Sequence, residues 1–537
     1  MRLPVCNMKK IKAFVLCMVL LAICLNAYSQ VAGVNYFIGI NSVLSSGDYA
    51  PFWLTANRQG VSSVANNSGI TRIGASLSRT FKNRDFRWAA SVDLLAGYNQ
   101  ESVVRVQQLC ADLSWRWLNL SIGKKERCAE LSCRSAIASL AGNKTASLLP
   151  LSQIACLQEL GTGGLAYSGN STPVPQLRLE VPHYVSVPHT ADWLRVKGHI
   201  AFGYFTDGDF QEDFTRGNIY TRYAKNVLYH SKALFVNVGK PRDFPISFEG
   251  GLEMYSQFGG DIYMHGKGKI VSMPKGALEY LKAVVPLSGG DGTPDTEQTN
   301  ISGNQLGNWH LAVTWHATPI DVTLYGQHYF EDFSQLFFFE YQSDRNGDRN
   351  LIYYPWRDIM LGVNVKNKSE FIPFVSNVCY EYLSTYNQSG AGYNDPGPLF
   401  KEQMDGLDNY YNHGIYSGWH NYGMGIGNPL VFSPVYNTTS SIYFAGNRLV
   451  AHNVGLNGGF GGKTALAYRL LYTYSENWGT YLNPFTEKVY TTSLLADIAL
   501  LQEKGGWAAT FSVAYDKSNW IGKNVGVMFS LVKVGIF

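Results

Sequence analysis

The sequence has few charged residues and, beyond its N-terminus, no excess of either sign. Asp, Glu, Lys and Arg make up 16% of the 537 residues, whereas they make up about a quarter of a typical soluble domain. The chain has 44 basic and 40 acidic residues, and the first 29 residues hold four of the basic ones and no acidic one. The remainder is therefore neutral, and the lack of a basic stripe excludes a nucleic-acid partner.

Long apolar runs are also lacking. Beyond residue 29 no stretch has 18 or more apolar residues, which excludes a protein that crosses a membrane with helices. Aromatic residues make up 14% of the chain and glycine numbers 54, a composition typical of a β-rich protein that faces lipid. If the chain spans a membrane, it must form a closed barrel, because only helices and closed barrels pair every backbone group in lipid.

Cysteine is scarce as well, and eight cysteines reduce to five beyond residue 29. An odd number leaves at least one thiol unpaired in an oxidising compartment. Cys128, Cys133 and Cys156 lie close enough in the sequence for one loop disulfide, whose pairing the sequence leaves open. These cysteines have no histidine at metal-ligand spacing, so the sequence predicts no metal and no cofactor.

The N-terminus has the pattern of a secretory signal peptide. Lysines between residues 9 and 12 precede the apolar run from Ala13 to Leu25, and Ala27-Tyr28-Ser29 places small residues where a signal peptidase reads them. We expect a signal peptide over residues 1–29 and a mature chain over residues 30–537. Acylation at Cys24 is the weaker alternative, because Ile23 stands where lipoprotein signals carry a small residue.

Alternation of apolar and polar residues is the main structural signal. The segments 88–98, 309–315 and 507–515 each place large apolar side chains on one face and small or polar ones on the other. Aromatic residues stand at the ends of these apolar faces, as in the girdles of a membrane barrel. Segments of about nine to eleven residues favour a transmembrane antiparallel β-barrel over a soluble sandwich, whose strands average five or six residues.

Two segments have helical rather than alternating patterns. They are the Ala-, Ser- and Leu-rich stretch at about 127–160 and a shorter stretch at about 275–285. The final segment, Val525 to Phe537, ends in the aromatic residue that is typical of a last barrel strand, although Lys533 falls in phase with its apolar face. The fold class predicted from these patterns is all-β, with short helical insertions.

Five motifs lie along the chain, and in order they are Gly47–Arg58, Gly163–Pro175, Asn409–Trp419, Gly425–Pro429 and Asn447–His452. Together they resemble the Wzi-type capsule assembly family, in particular its Bacteroidetes branch. The order and spacing of the motifs extend the resemblance over most of the chain. The cysteine-containing segment at 127–160 does not match the family.

The resemblance implies an outer-membrane barrel of about 18 strands, with short helices on the periplasmic side or in the lumen. It further implies a lectin-like protein of a Gram-negative outer membrane that binds capsular or surface polysaccharide and helps to assemble or anchor the capsule. Its other partners would be outer-membrane lipid and, during biogenesis, the barrel assembly machinery. No catalytic activity is implied.

Sugar binding requires flat apolar faces beside hydrogen-bonding groups, and the third and fifth motifs are rich in both. Arg448 has the geometry to pair with the carboxylate of an acidic sugar. The alternative is that these side chains line the lumen, pack in a plug or belong to the aromatic girdle. The candidate carbohydrate-binding residues are Tyr410, Tyr411, His413, Tyr416, Trp419, Arg448 and His452.

Other functions have weaker support. Asp344, Asn346 and Asp348 resemble part of a calcium loop, but Arg349 and Pro355 stand where its glycine and bidentate glutamate belong, which favours a plain turn. No nucleophile motif is present, so we expect no enzyme. The acidic cluster at 207–213 reads as a solvated turn. A porin-like channel or transporter remains the alternative, since a barrel alone does not fix function.

Overall fold

The computed structural model describes most of the chain beyond the predicted signal peptide. The described residues are 33–81, 85–100, 103–130, 140, 142–285, 303–331, 340–343, 349–352, 358–368, 374–388, 393–394, 404–405 and 408–537. Residues 1–29, Cys133 and the calcium-like stretch at 344–348 therefore lie outside the described residues, and the predictions made for them stay predictions.

Eighteen antiparallel strands form one sheet. In chain order they are β1 (Val34–Ser46), β2 (Asn67–Thr80), β3 (Phe86–Tyr98), β4 (Val104–Trp115), β5 (Leu118–Lys124), β6 (Gln176–Ser186), β7 (Leu194–Tyr204), β8 (Leu228–Val238), β9 (Ile246–Phe258), β10 (Asn304–His316), β11 (Ile320–Glu331), β12 (Ile359–Asn367), β13 (Val375–Ser384), β14 (Leu449–Phe460), β15 (Thr464–Gly479), β16 (Pro484–Gln502), β17 (Trp507–Ser518) and β18 (Lys523–Ile536). Each strand pairs with its neighbours in the sequence.

The first and last strands close the sheet into a barrel. β1 and β18 are antiparallel from the pair Asn35 and Ile536 to the pair Ser46 and Val525. Closure leaves no strand edge unpaired in lipid, which is the condition for crossing a membrane with strands. The predicted all-β barrel with about 18 strands is confirmed.

The barrel wall is polar inside and apolar outside. Asn308, Glu381 and Asp497 point inward and are buried. Their neighbours on the outward face are large and exposed, for example Leu311 and Leu494. A soluble protein would bury the leucines and expose the acids, so this distribution is that of a barrel whose outer surface contacts hydrocarbon.

Exposed aromatic side chains ring the barrel at two levels. The ring at the end of the barrel where the chain termini meet contains Phe86, Trp115, Trp117, Trp315 and Trp507. The ring at the other end is formed mainly by tyrosines, among them Tyr98, Tyr204 and Tyr490. The predicted girdles are therefore present at both ends, as expected where amphipathic rings lie at the two membrane interfaces.

The connections between strands differ in length at the two ends. The turns at the end with the termini are short, for example residues 116–117 and 461–463. The long connections, at 47–66, 125–175, 205–227, 259–303, 332–358 and 385–448, all leave from the opposite end. Outer-membrane barrels have short periplasmic turns and long extracellular loops. We name the end with the long connections the outer end and the other the inner end.

Short helices and small sheets occupy the long connections. The helices are α1 (Phe52–Thr55), α2 (Lys144–Leu148), α3 (Leu151–Gln158), α4 (Gly208–Thr215) and α5 (Ala277–Val284), with a 3₁₀ turn at Pro434–Tyr436. Three small sheets pair Arg222–Lys225, Asp261–Met264 and Gly268–Ser272; Glu340–Ser343, Arg349–Ile352, Tyr393–Asn394 and Met404–Asp405; and His420–Asn421 and Met424–Gly425.

The helices predicted at 127–160 and 275–285 are present as α2, α3 and α5. α2 lies at the inner end, where the Thr145 hydroxyl donates to the Gln502 carbonyl and the Lys144 amide to the Glu503 carboxylate. α3 follows it in the lumen, whereas α5 packs on the outside of the barrel wall. No helix among the described residues is long and apolar enough to cross a membrane.

A charge on the outer face of the wall is expected to destabilise the barrel. Leu494 lies in the middle of β16, points outward and is 42% exposed. Leu494→Arg should lower the free energy of unfolding in lipid vesicles by about 2–4 kcal/mol, the cost of a basic side chain near the bilayer midplane. The measurement is a denaturant titration followed by tryptophan fluorescence.

The matched control is Leu482→Arg, because Leu482 is 71% exposed in the turn between β15 and β16 at the outer end. This variant should be as stable as the parent. Equal losses for the two variants would contradict the assignment of the band around Leu494 to the membrane.

Candidate functional site

The lumen of the barrel is filled by three connections from the outer end. They are residues 48–66, the described part of 125–175, and residues 408–448, which together we name the plug. The first enters through α1, where the Phe52 amide donates to the Asp516 carboxylate at 2.7 Å and the Trp53 indole to the Thr473 hydroxyl at 3.1 Å. Asp516 and Thr473 are inward-facing wall residues, so α1 lies against the inner surface of the barrel.

The three connections contact one another through hydrogen bonds to backbone carbonyls. The Trp419 indole donates to the Ala166 carbonyl at 2.7 Å, and the Ser168 amide donates to the Ile426 carbonyl at 2.8 Å. The Gln59 amide donates to the Gly169 carbonyl at 2.5 Å. Segments that are far apart in the sequence, and that carry four of the five resembling motifs, thus form one compact body in the lumen.

Close backbone approach explains the small residues in these motifs. A Cβ at Gly427 would overlap both the Tyr411 hydroxyl and the Leu165 carbonyl. Gly60 has a φ of +63°, and a Cβ there would overlap Thr172. Glycine is required at both positions, since a larger residue would separate two of the plug segments.

Inward-facing wall side chains fix the plug by accepting hydrogen bonds from its backbone. Glu381 accepts from the Thr162 amide at 2.5 Å, and Gln327 accepts from the Leu165 amide at 2.8 Å. Side chains of β11 and β13 therefore satisfy plug amides that have no strand partner. A buried carboxylate without such donors would be costly, so wall and plug stabilise each other.

Two buried arginines of the wall add to this attachment. Arg72 of β2 pairs with Asp93 and with Glu126, the latter at 3.0 Å, and donates to the Ser152 hydroxyl at 2.6 Å, which joins the wall to two points of the segment 125–175. Arg469 of β15 pairs with Asp497 at 2.6 Å, and its other guanidinium nitrogen donates to the Glu159 carbonyl. Removing one member of such a buried pair leaves an uncompensated charge, which is strongly destabilising.

The space left beside Arg72 is small. A cavity of about 40 Å³ lies between the plug and the wall, lined among others by Arg58, Arg72 and Asp497. A water molecule needs about 10–15 Å³ of such space, so the cavity has room for a few water molecules and is too small for a sugar ring. At this level of the barrel, polar side chains and plug backbone occupy the lumen.

Four of the predicted binding residues lie in the core of the plug. Tyr410, Tyr411, Tyr416 and Trp419 are each at most 2% exposed. Tyr410 donates to the Asp358 carboxylate at 3.2 Å. Their aromatic faces contact protein, including the ring of Tyr329 on β11.

Tyr411 is the most connected of these residues. Its amide donates to the Glu331 carboxylate at 2.6 Å, and its carbonyl accepts from the Trp419 amide at 2.7 Å. Its hydroxyl donates to the Leu165 carbonyl and accepts from the Asn428 amide. Tyr411 has a φ of +67°, which a residue with a side chain adopts only when its surroundings fix it.

The other three predicted residues lie in different places. His413 is half-buried at the outer surface of the plug, with its ring 5.2 Å from that of Tyr416. Arg448 is held at the outer rim between the rings of Tyr386 and Tyr481. His452 points outward from β14 and accepts or donates a 2.9 Å hydrogen bond with the Tyr380 hydroxyl on the lipid-facing side of the wall. The structure therefore does not bring His452 together with the motif at 409–419.

An outer cap covers the plug at the outer end. It consists of α4, the sheet of Arg222–Lys225, Asp261–Met264 and Gly268–Ser272, and plug residues 412–418. Arg222 joins these parts, because its guanidinium donates to the Gly414 carbonyl at 2.7 Å and its carbonyl accepts from the Ser417 hydroxyl. The cap presents side chains that sequence reasoning missed, since they lie in two other connections and have no shared motif.

Three of these missed side chains lie in the cap, and one of them, Arg222, contacts the exposed Gly414. Arg222 is exposed, and Tyr220, two residues before it, is 79% exposed. Tyr263 pairs with Tyr223 across the small sheet and stacks on its ring at 5.4 Å. Together with His413, the cap therefore combines aromatic faces with a guanidinium and an imidazole at the outer surface.

The acidic cluster at 207–213 is a helix start and not a solvated turn. Asp209, Glu212 and Asp213 lie in α4, where the first two pair with Lys225. Asp207 precedes the helix and is buried, with its carboxylate accepting from the Tyr422 amide at 3.1 Å. The spacing of Asp209, Glu212 and Asp213, at i, i+3 and i+4, is the sequence signal that could have predicted a helix here.

Burial shifts the pKa of two groups where the cap meets the plug. It raises the pKa of the Asp207 carboxyl from 3.8 to about 6, because desolvation disfavours the charged form. It lowers the pKa of the His420 imidazole to about 4. The two side chains approach to 3.6 Å, yet burial favours the neutral form of each.

The cysteine analysis requires one addition. Cys379, which points inward from β13, is disulfide-bonded. Short spacing in the sequence suggested a disulfide among Cys128, Cys133 and Cys156. The same criterion could not predict a disulfide of Cys379, which lies more than two hundred residues further along the chain. Among the described residues, no group of three or more His, Cys, Asp or Glu side chains is arranged to hold a metal.

The fold is similar to those of several solved outer-membrane proteins. One is Wzi of Escherichia coli, described as a carbohydrate-binding β-barrel involved in group 1 capsule assembly, with 12% identity, a TM-score of 0.49 and coverage of 92% of this chain and 83% of that chain. Another is OccK5 (OpdH) of Pseudomonas aeruginosa, with 7% identity, a TM-score of 0.44 and coverage of 94% and 98%. A third is OprD of Pseudomonas aeruginosa, with 7% identity, a TM-score of 0.43 and coverage of 94% and 93%.

These similarities concern the fold alone, and they include both a capsule protein and members of the OprD group. No protein-family model and no curated protein sequence matches the chain. The resemblance of the motifs to the Wzi-type family, and to its Bacteroidetes branch, therefore stays a prediction.

Removal of one hydroxyl should loosen the plug. Tyr411→Phe leaves the Leu165 carbonyl and the Asn428 amide without their buried partner, so it should destabilise the plug by about 1–3 kcal/mol. Limited proteolysis of the protein in detergent should cleave the region 408–448 faster than in the parent. Tyr443→Phe is the control, because Tyr443 is 39% exposed, and a similar change in that variant would contradict the assignment.

The stability of the cap should depend on pH through Asp207. Because its pKa is raised in the folded state, the carboxyl stabilises the fold below about pH 4, and this contribution is lost as the pH rises through about 6. Asp207→Asn cannot ionise and keeps an acceptor oxygen, so its stability relative to the parent should increase between about pH 4 and pH 8.

The measurement is the difference in unfolding free energy between parent and variant at each pH. A comparison within one pH is needed because the lowered pKa values of His413 and His420 act in the opposite direction as the pH falls through about 6 to 4. A difference that does not change with pH would contradict the role of Asp207.

Proposed function

We propose that this protein is an outer-membrane, lectin-like protein that binds capsular or other surface polysaccharide at its outer end and helps to anchor the capsule there. The observation that carries the proposal is the plug. Three connections fill the lumen and are attached to the wall from several sides, so the barrel supports a fixed outer surface. A protein that moves solutes needs an open path instead.

A location in the outer membrane of a Gram-negative bacterium follows from the inside-out barrel. Its apolar outer face and two aromatic rings require a lipid bilayer, and the short turns face the periplasm by the rule for such barrels. We propose that the chain is exported with residues 1–29 as a signal peptide and is inserted by the barrel assembly machinery.

The cap is the surface that we assign to the sugar. Exposed Tyr220 and half-buried Tyr263 offer aromatic faces for the C–H side of a sugar ring, and Arg222 offers a guanidinium for hydroxyl or carboxylate groups. His413, the most accessible of the predicted residues in the 409–419 motif, adjoins Gly414 below Arg222. Acidic polysaccharide suits this combination.

We assign a positioning role to the buried aromatic residues of the motif. Tyr410, Tyr411, Tyr416 and Trp419 hold the turn at 412–418 against the plug, so their effect on sugar binding acts through the shape of the cap. The Arg448 guanidinium is covered by two tyrosine rings and fixes the outer rim. His452 packs with Tyr380 and Tyr382 on the outer side of the wall, and we assign it to the membrane interface.

The porin-like alternative predicts an open path through the plug. The contacts of Glu381, Gln327 and Arg72 with plug backbone and side chains make this the less favoured function. The inward-facing carboxylates that we describe are engaged by plug amides or by wall arginines, and none meets a nucleophile in an arrangement that would support an enzyme.

The experiment that tests the proposal is binding of the purified, detergent-solubilised protein to capsular polysaccharide from the source strain, measured by isothermal calorimetry. The double variant Tyr220→Ala and Arg222→Ala removes an aromatic face and a cation from the cap. We expect saturable binding by the parent and at least about a tenfold weaker affinity in the variant, equivalent to 1.4 kcal/mol.

Arg242→Ala is the matched control, since Arg242 is an exposed arginine in a turn at the inner end. It should bind as the parent does. Binding that survives the cap substitutions would move the site elsewhere on the outer end. Absence of binding, together with steady conductance of the parent in planar bilayers, would overturn the proposal in favour of a channel.

A further inference from the structure

A polar patch lies on the outer face of the barrel wall near its outer end. Lys232 of β8 lies between Ile200 of β7 and Met254 of β9 in the sheet register. Its cross-strand neighbour Ile200 is exposed on the outer face, and so is Leu234, two residues further along β8. Lys232 therefore points outward too. His230, Ser256 and Gln305 are on the same face. Exposed to hydrocarbon, these polar groups would be costly.

Helix α5 covers this patch. The Lys232 ammonium donates to the carbonyls of Ala283 and Val284, at 3.1 and 2.6 Å, and so caps the C-terminus of the helix. The Gln305 amide donates to the Lys282 carbonyl at 3.3 Å. A lysine at a helix C-terminus satisfies carbonyls that lack an intrahelical partner and complements the helix dipole.

Aromatic contacts hold the middle of α5 to the wall. The ring of Tyr280 lies 5.3 Å from that of Phe202 and 5.2 Å from that of Phe258. Phe202 in turn packs on His230, at 4.5 Å between the rings. With the contact of Gln305, the helix is therefore bound to outward-facing residues of four neighbouring strands, β7 to β10.

The amphipathic pattern of α5 is inverted. Its buried face against the wall carries Glu279 and Lys282, which form a 3.1 Å ion pair, together with Ala283. Its exposed face carries Leu278, Leu281 and Val285, which are 59%, 54% and 48% exposed. A helix that faces water has the opposite arrangement.

We propose that the exposed face of α5 lies in the membrane and contacts the acyl chains of the outer leaflet. The face is continuous with the lipid-facing band of the wall, where Leu234 and Phe248 are 60% and 53% exposed on the strands that α5 covers. The helix thus covers the polar part of the wall and presents an apolar surface at this level of the barrel. Lipid contacts this surface, as it contacts the rest of the lipid-facing band.

The test is photo-cross-linking in vesicles of phosphatidylcholine, with benzoylphenylalanine introduced by amber suppression at position 281 in one protein and at position 278 in a second. Leu234 is the lipid-facing reference, and Tyr220 of the cap is the water-exposed reference. We expect lipid adducts, detected by mass spectrometry, at positions 281 and 278 within about twofold of those at 234 and at least about tenfold above those at 220.

Two results would overturn the inference. Adduct yields at 281 and 278 as low as those at Tyr220 would place the helix face in water. Adducts between two copies of the chain in place of lipid adducts would assign the face to a protein interface. Because both probes replace exposed leucines and leave the Lys232 contacts intact, neither should prevent folding. The outcome does not depend on whether the cap binds a polysaccharide.

Discussion

Pairing of the first strand with the last is the contact on which the rest of the molecule depends. In hydrocarbon, an unpaired amide or carbonyl has no water to bind, so the sheet must end on itself. The register from Asn35 with Ile536 to Ser46 with Val525 satisfies both terminal strands along their length. Closure then creates a polar interior that must itself be filled or hydrated, and in this chain long connections from the outer end fill it.

The plug and the wall satisfy each other's polar groups. Inward-facing Glu381, Asp516 and Arg72 would be poorly solvated in a narrow lumen, and plug amides would lack strand partners. Their mutual hydrogen bonds and ion pairs resolve both problems at once. This arrangement favours one position of the plug, because a shift would leave several buried groups without partners.

Features repeated along each strand could be predicted from the sequence, and features that join distant segments could not. Alternation around Trp88 and Trp507 predicts outward-facing faces without any tertiary knowledge. Lys533, which disturbs the last alternation, proves compatible with the outward face because it lies at the inner rim over the Trp507 ring and can extend to water. The burial of Tyr411 and the disulfide of Cys379, by contrast, depend on connections that meet only after the barrel closes.

Helix α5 shows a related limit. Its sequence predicts a helix over 275–285, yet the inverted distribution of Glu279 and Leu281 has meaning only with the polar wall of Lys232 beside it. The candidate site divides in the same way. The motif at 409–419 could be read from the sequence, but most of the accessible side chains of the proposed site come from the two connections that contain Arg222 and Tyr263, which no pattern links to it.

The way in which the plug is attached to the chain limits how the protein can change and how it can assemble. Each of its three segments is bounded at both ends by wall strands, so none can leave the lumen as a separate domain would. The segments belong to an early, a middle and a late connection, and they interlock through contacts such as that of Gln59 with Gly169 and Trp419 with Ala166. The plug is therefore complete only when its last segment, 408–448, is in place, and the five wall strands that follow in the sequence complete the barrel around it.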